Sequence, residues 1–143
     1  MATLFLVGFD GTEASVRAAD FGAKRARAEG AQLHVVHVLE WSPYSFLSAQ
    51  ELAERHKRRQ EELDRAGAIV DPLCERLREE GVDVSSEVRY GHAGDLLCKI
   101  ATTRRASQIF LGRRGGSALG QRFLGSLAIT LVQAAPVPVT VVP

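Results

Sequence analysis

Five glycines stand close together in residues 112–126 of this 143-residue chain. Glycine has no Cβ, so successive backbone amides can converge on an anion that side chains would otherwise obstruct. The segment follows the apolar run Ile109-Phe110-Leu111 and enters a predicted helix at Ser126, where unpaired amides and the helix dipole favour negative charge. This combination predicts a phosphate-binding loop, although a flexible surface loop would have the same composition.

Two well-known nucleotide-binding signatures do not match the chain. Gly115 and Gly120 have the glycine spacing of the P-loop, but Gln121-Arg122 stands where Lys followed by Ser or Thr is required. A dinucleotide fingerprint needs GxGxxG directly after the first strand, and Gly8-Phe9-Asp10-Gly11 does not supply it. The sequence therefore argues against a P-loop NTPase and against NAD binding.

Segments with strand and helix patterns alternate along the chain. Apolar or β-branched runs predict strands at residues 4–7, 33–39, 82–88, 109–111 and 137–142. Helical patterns lie between them at residues 13–29, 48–80, 95–104 and 126–134. The alternation predicts the α/β class, an open, doubly wound, five-stranded parallel sheet with helices on both faces.

Individual residues set the expected boundaries of these elements. Thr12 is expected to cap the first helix, Phe21 to belong to its apolar stripe, and Gly30 to end it. Pro72 is expected to kink the second helix, and residues 91–94 are predicted to form a turn before the third.

The sheet topology predicts where a ligand would bind. Doubly wound sheets bind ligands beyond the carboxyl ends of the strands, where the strand order reverses. We place this point between the first and fourth strands, which end at residues 8–12 and 112–126. Residues 41–44 after the second strand have an irregular composition that predicts a loop or lid.

The glycines fit a third spacing: Gly112, two residues, Gly115, nine residues, then Gly125-Ser126. This spacing resembles the ATP-binding signature of the universal stress protein family. The resemblance extends over nearly the whole chain, through residues 6–15, 36–38, 90–97 and 135–142. It implies one domain over residues 1–143, with a sheet like that of the adenine nucleotide alpha-hydrolases.

The resemblance also implies a role for each residue of the site. Asp10 would lie near the ribose and phosphates of ATP, and Val38 would contact adenine through its backbone. The phosphate chain would be held by Gly112, Gly115, Gly125 and Ser126. The same cleft would be lined by Gly8, Phe9, Leu111 and Leu127. With Mg²⁺ present, Asp10 could coordinate the ion between phosphates, although one carboxylate does not define a metal site.

Members of the family are similar small homodimers paired through the last strand, here residues 137–142. Pro138 and Pro143 fit an edge position, because proline cannot donate hydrogen bonds to a ladder on both sides. Two residues depart from the family pattern: Ser107 replaces an aspartate, and Arg113 replaces the commoner serine after the first glycine. The Arg113 guanidinium could pair with phosphate oxygens, but we expect it to extend into solvent.

Composition and charge exclude several classes of partner. Residues of hydrophobic type make up 45% of the chain, and a net charge of +1 gives no basic field for nucleic acid. Acidic residues interleave the basic ones in residues 51–65, as on a solvated helix face. No apolar run approaches the roughly 20 residues that cross a bilayer, so no membrane insertion is expected. Cys74 and Cys98 lack metal-ligand spacing, which predicts reduced core thiols in a cytoplasmic protein.

The sequence shows no paired general acid and base. His34 and His37 point to opposite faces of one strand without a visible nucleophile or carboxylate partner, and His92 lies in a turn. We therefore expect at most weak ATP hydrolysis. The leading interpretation is a regulatory, ATP-binding homodimer of the stress response, whose nucleotide changes how the dimer or residues 41–48 meet a protein partner. The alternatives are a slow ATPase or nucleotidyl enzyme using the same cleft, and a dimeric interaction module without nucleotide.

Overall fold

The computed structural model describes residues 3–40, 49–113 and 124–143, and strands alternate with helices along these ranges. The strands are β1 (Leu4–Gly8), β2 (Gln32–Glu40), β3 (Asp83–Gly91), β4 (Gln108–Gly112) and β5 (Val139–Val142). The helices are α1 (Glu13–Glu29), α2 (Ala49–Glu79), α3 (Ala93–Thr103) and α4 (Ser126–Ala134). The predicted loop or lid, Gly115 and most of the glycine-rich segment lie outside the described residues.

The five strands form one parallel sheet in the order β3-β2-β1-β4-β5. The central strand β1 is paired on both sides, so that Leu6 lies beside His34 of β2 and Ile109 of β4. The chain adds β2 and β3 on one side of β1 and then crosses to the other side for β4 and β5. The predicted α/β class is confirmed, and the strand order reverses between β1 and β4, as expected.

Two hydrophobic cores cover the two faces of the sheet. Alternate residues of each strand point to opposite faces, so neighbouring side chains enter different cores. Val7, Leu33 and Phe110 pack beneath α1 and α2, whereas Leu6 and Ile109 pack beneath α3 and α4. All five side chains are fully buried, and each such burial contributes about 1.5–3 kcal/mol to folding.

Helix α1 has the predicted boundaries, but its apolar stripe differs from the expectation. The Thr12 side chain accepts a hydrogen bond from the Ser15 amide, and Gly30 ends the helix at φ 67°. Phe21 is 41% exposed and lies at the border of the stripe, where its ring contacts that of the buried Phe110 with 5.9 Å between centroids. The buried stripe follows small residues instead, because a Cβ at Gly22 would stand 3.3 Å from Phe110.

The predicted starts of two other elements need correction. Helix α3 begins at Ala93 rather than Asp95, because His92 Nδ1 accepts a hydrogen bond from the Asp95 amide and thereby caps an earlier start. Strand β5 begins at Val139 rather than at residue 137, since Pro138 has no N–H to donate. Helix α2 runs continuously through Pro72, and the expected kink stays a prediction. Within the described ranges, no helix is both long and apolar enough to cross a membrane.

Candidate functional site

A cleft of about 430 Å³ opens at the carboxyl ends of β1, β2 and β4. Every predicted site residue in the described part of the chain lines it: Gly8, Phe9, Asp10, Val38, Leu111, Gly112, Gly125, Ser126 and Leu127. Gly115, the remaining predicted site residue, is not described. The structure therefore brings residues 8–10 and Val38 together with residues that follow them by more than 70 positions in the sequence.

Sequence reasoning missed six residues of the lining. They are Ser15, Val36, Glu40, Ala93, Leu97 and Ala128. The period of two along β2 could have identified Val36 and Glu40, since they share a face with Val38. No comparable local pattern identifies Ala93 and Leu97, because their approach depends on how α3 packs on the sheet.

Asp10 joins the end of β1 to the start of α1. Its Oδ1 accepts hydrogen bonds from the Thr12 amide at 3.0 Å and from the Thr12 hydroxyl at 2.5 Å. The Ser15 hydroxyl donates to the Thr12 carbonyl at 2.8 Å and accepts weakly from the Asp10 amide at 3.4 Å. Asp10 is therefore both a turn residue and part of the cleft lining, and the Ser15 amide in the first turn of α1 is capped by the Thr12 side chain.

Gly112 is required for close packing at the floor of the cleft. A Cβ at this position would lie 2.8 Å from the backbone carbonyl carbon of Ala14, in the first turn of α1. Gly8 is also tightly placed, because its Cβ would lie 3.2 Å from Cδ1 of Leu97. These two glycines let helices approach the ends of β1 and β4, which a side chain of ordinary size would prevent.

Helix α4 presents its amino-terminal end to the cleft. Gly125 is the N-cap with φ −66° and ψ 162°, and no side chain in the described ranges caps the helix. Residues Ser126, Leu127 and Ala128 of the first turn all line the cleft. The Gly125 amide donates to the carbonyl of Arg113 at 2.8 Å, which ties the start of α4 to the end of β4. The positive end of the α4 dipole is thus open to an anion in the cleft.

The β2 and α3 side of the cleft is mainly apolar. Val36, Val38 and Leu97 line it and belong to or pack against the core beneath α3 and α4. Glu40 adds a carboxylate at the end of β2, and its Oε1 accepts a long hydrogen bond of 3.4 Å from the Ala93 amide. A cleft with an apolar wall and a helix amino terminus can hold a ligand with both a flat apolar part and an anionic part.

His34 and His37 do not themselves line the cleft, and each makes hydrogen bonds within the sheet. His34 Nδ1 lies 2.7 Å from the Ser85 hydroxyl, and its Nε2 lies 3.0 Å from Glu87. Burial lowers the pKa of His34, although the hydrogen bond to Glu87 acts in the opposite direction. His37 Nδ1 contacts the carbonyl of Phe9 at 2.6 Å. The carboxylate partner of His34 was invisible in the sequence because it comes from the neighbouring strand β3.

Arg113 and the cysteines also have partly unexpected surroundings. Arg113 is half-buried, and its Nε is a buried atom without a hydrogen-bond partner in the described part of the chain. The expected extension of Arg113 into solvent is therefore wrong for this atom.

Cys74 and Cys98 are free; Cys74 is buried and Cys98 is half-buried. Burial raises the pKa of both thiols. Among the described residues, no group of three or more His, Cys, Asp or Glu could hold a metal ion.

Comparison with known proteins agrees with this architecture. The sequence model described as the universal stress protein family matches residues 1–143. A universal stress protein of Thermus aquaticus is 32% identical over 142 residues, which cover 99% of both chains.

Two solved structures share the fold at low sequence identity. A universal stress protein in complex with cAMP has a TM-score of 0.71 at 22% identity, covering 99% of this chain and 96% of that one. The universal stress protein from Archaeoglobus fulgidus in complex with dAMP has a TM-score of 0.62 at 20% identity, covering 100% and 98%. The family model matches the full length of this chain, and the Thermus aquaticus relative is 32% identical to it over 142 residues. This chain therefore belongs to the universal stress protein family.

Proposed function

We propose that this protein binds ATP in the cleft between β1 and β4 and acts as a regulatory nucleotide-binding homodimer of the cytoplasmic stress response. The observation that carries the proposal is the start of α4. Its first turn lines the cleft, lacks a side-chain cap and contains no acidic residue. Backbone amides at such an end bind phosphate oxygens without a basic side chain.

The apolar side of the cleft supports an adenine ring. Val36, Val38 and Leu97 offer aliphatic surface at the end of β2, which suits the flat face of a purine. The two solved relatives described above hold cAMP and dAMP, which share adenine. The triphosphate is inferred from the glycine spacing of residues 112–126, whose amides would hold a chain of phosphates.

Asp10 supports binding of the nucleotide as its Mg²⁺ complex. Its carboxylate lines the cleft, and the described hydrogen bonds reach it through Oδ1. Asp10→Asn preserves an oxygen that can accept both bonds from Thr12 but removes the charge that attracts a cation. We expect Mg²⁺ to enhance the ATP affinity of the wild type and to have little effect on D10N. An equal Mg²⁺ effect on both proteins would remove Asp10 from the metal site.

A binding role fits the cleft better than efficient catalysis. Among the described lining residues, Asp10 and Glu40 carry the titratable side chains, and Thr12 donates two hydrogen bonds to Asp10. Neither histidine of β2 lines the cleft, so neither is placed to activate a water molecule there. We expect ATP turnover to be slow and unchanged in H34L, which leaves the cleft lining intact.

The edge of the sheet supports the homodimer. β5 pairs with β4 on one side, and its residues Val139 and Val141 are half-buried in the isolated chain. On α4, Ile129 and Val132 are 44% and 52% exposed. A second copy pairing along β5 would cover this apolar surface. Val141→Glu should give a monomer in analytical ultracentrifugation, whereas a dimeric V141E protein would contradict pairing through this strand.

The central experiment is measurement of the nucleotide itself. Chromatography of nucleotide extracted from freshly purified protein should identify ATP. Calorimetric titration of the nucleotide-free protein should then show tighter binding of ATP than of AMP, cAMP or GTP. A protein that neither retains nor binds any of these nucleotides would be a dimeric interaction module without nucleotide, and the proposal would fail.

A further inference from the structure

We propose that His37 is a positioning residue of the nucleotide site, holding the turn that carries Asp10 from the opposite face of the sheet. The inference rests on the proposed function and adds a residue outside the cleft to it. His37 is 7% exposed, and its Nδ1 lies 2.6 Å from the backbone carbonyl oxygen of Phe9. Phe9 lines the cleft and directly precedes Asp10.

The chemistry of this contact defines the donor. A carbonyl oxygen only accepts hydrogen bonds, so the proton must be on Nδ1 of His37. The bond therefore requires either the neutral tautomer protonated at Nδ1 or the imidazolium. Leucine at this position has no donor, whereas the side-chain amide of asparagine places its nitrogen near the position of Nδ1.

The Phe9 carbonyl needs a partner because the strand ends there. The pairing of β1 with β2 ends at Gly8 opposite Val36, and the Phe9 amide still donates to the Val36 carbonyl at 2.9 Å. The chain then turns away at Asp10, so the Phe9 carbonyl lies beyond the last paired residue. A buried carbonyl without a partner is costly, and His37 supplies the bond. The Phe9 amide is thus held by the main chain of β2 and the Phe9 carbonyl by the His37 side chain of the same strand.

The His37 side chain lies on the face of the sheet opposite Val36 and Val38. Val36 and Val38 line the cleft, and side chains alternate along a strand, so His37 between them points to the other face. There it lies beside the Phe9 ring, with 6.5 Å between ring centroids. The side chain of His37 therefore does not face the ligand, and its hydrogen bond reaches the cleft through the Phe9–Asp10 turn.

Three substitutions test this role. His37→Leu should weaken ATP binding by roughly five- to tenfold, the loss of about one hydrogen bond. His37→Asn should restore affinity to nearly the wild-type value because it retains a donor. The matched control is His34→Leu, which removes another buried histidine of β2 whose partners are Ser85 and Glu87. H34L should lower stability but leave ATP affinity unchanged.

The conformation of the Phe9–Asp10 turn can also be measured by NMR in the nucleotide-free protein. In ¹H–¹⁵N spectra of the nucleotide-free protein, H37L should shift the amide signals of Asp10 and Gly11, and H34L should not. Should H37L fail to fold, His37→Gln replaces it, because the Gln amide matches the other ring nitrogen and lacks a donor near Nδ1.

The outcomes separate this inference from the function on which it rests. If the wild type binds ATP and H37L binds it equally well with unchanged Asp10 and Gly11 signals, the inference is overturned and the proposed function stands. Equal losses of affinity in H37L and H34L would also overturn it, because they would indicate a general effect of stability. If the wild type binds no nucleotide, the proposed function fails and the inference fails with it.

Discussion

Helices α1 and α4 both begin at the cleft, but their amino-terminal ends are capped differently. Thr12 caps α1 with its side chain, and Glu13 adds an acidic residue in the first turn. Gly125 begins α4 without a side-chain cap, and its first turn contains no acidic residue. The Thr12 side chain thus occupies one first-turn amide of α1, and Glu13 offsets the helix dipole, whereas the described residues supply neither of these to α4.

At the start of α1 the cleft is held by hydrogen bonds within the chain, whereas at the start of α4 it offers backbone amides that can bind a ligand. The Asp10, Thr12 and Ser15 side chains form a hydrogen-bonded group that holds the end of β1 against α1. The tie between the Gly125 amide and the Arg113 carbonyl positions α4 through the main chain and leaves the first-turn amides without a side-chain partner. An anion bound in the cleft would therefore stabilise α4 more than α1.

The largest expected effect comes from giving α4 the kind of cap that α1 has. Aspartate is a preferred N-cap residue, and φ −66° at Gly125 suits any L-residue, so Gly125→Asp should fold with unchanged or higher thermal stability. Its carboxylate would occupy the first-turn amides and repel phosphate, weakening ATP binding by roughly 100-fold, or about 2.7 kcal/mol. Calorimetry and thermal denaturation measure the two effects.

Gly125→Asn is the matched control for this substitution. It provides a similar cap without the charge, so it should lose less affinity than G125D. Wild-type affinity in G125D would contradict the assignment of α4 as the phosphate-binding end of the cleft.

The next effect concerns the close contact between β4 and α1. Gly112→Ala places a Cβ 2.8 Å from the Ala14 backbone, which must move. We expect a loss of about 2–3 kcal/mol in the free energy of unfolding, measured with urea. Gly30→Ala is the comparison, because its φ of 67° is strained but no atom lies within 4 Å of the added Cβ. G30A should cost about 1 kcal/mol. Equal stability of G112A and wild type would refute the close contact.

Removing the cap of α1 should have the converse effect to capping α4. Thr12→Ala deletes the oxygen that accepts from the Ser15 amide, so the free energy of unfolding should fall by about 1 kcal/mol. Affinity for ATP should fall far less than in G125D, because Thr12 reaches the cleft only through Asp10, and the bond from the Thr12 amide to Asp10 remains in T12A. Thr12→Ser, which keeps the hydroxyl, should restore stability. A loss of affinity in T12A as large as that in G125D would erase the distinction between the two helices.

The smallest expected effect lies at the other end of β2, away from both helix starts. Burial lowers the pKa of His34 below its ordinary value of 6.5, so folding favours the neutral imidazole. Its contribution is complete above pH 6.5 and is lost as the pH falls through the lowered pKa of the folded state. The free energy of unfolding of the wild type should therefore decrease over this range more steeply than that of His34→Gln. Urea unfolding at stepped pH tests this, and parallel curves would contradict it.

Much of the fold could be predicted because local patterns encode it. Helix α1 was bounded correctly since Thr12 and Gly30 act on neighbouring backbone groups. The alternation of strands and helices limited the topology to a doubly wound parallel sheet, and the predicted reversal of strand order between β1 and β4 is confirmed. The start of α3 was missed because histidine is not a usual capping residue, yet the His92 ring accepts a hydrogen bond from the Asp95 amide.

The kinds of element, their order and the side chains available at the cleft follow from local sequence patterns, because short-range sterics and hydrophobic periodicity depend on near neighbours. Which distant groups meet depends on the assembled fold. The fit of Gly112 against Ala14, the bond from His37 to Phe9 and the pairing of His34 with Glu87 each depend on strand register and helix packing. Contacts of this kind join residues from separate elements, and their geometry is set when the whole sheet assembles.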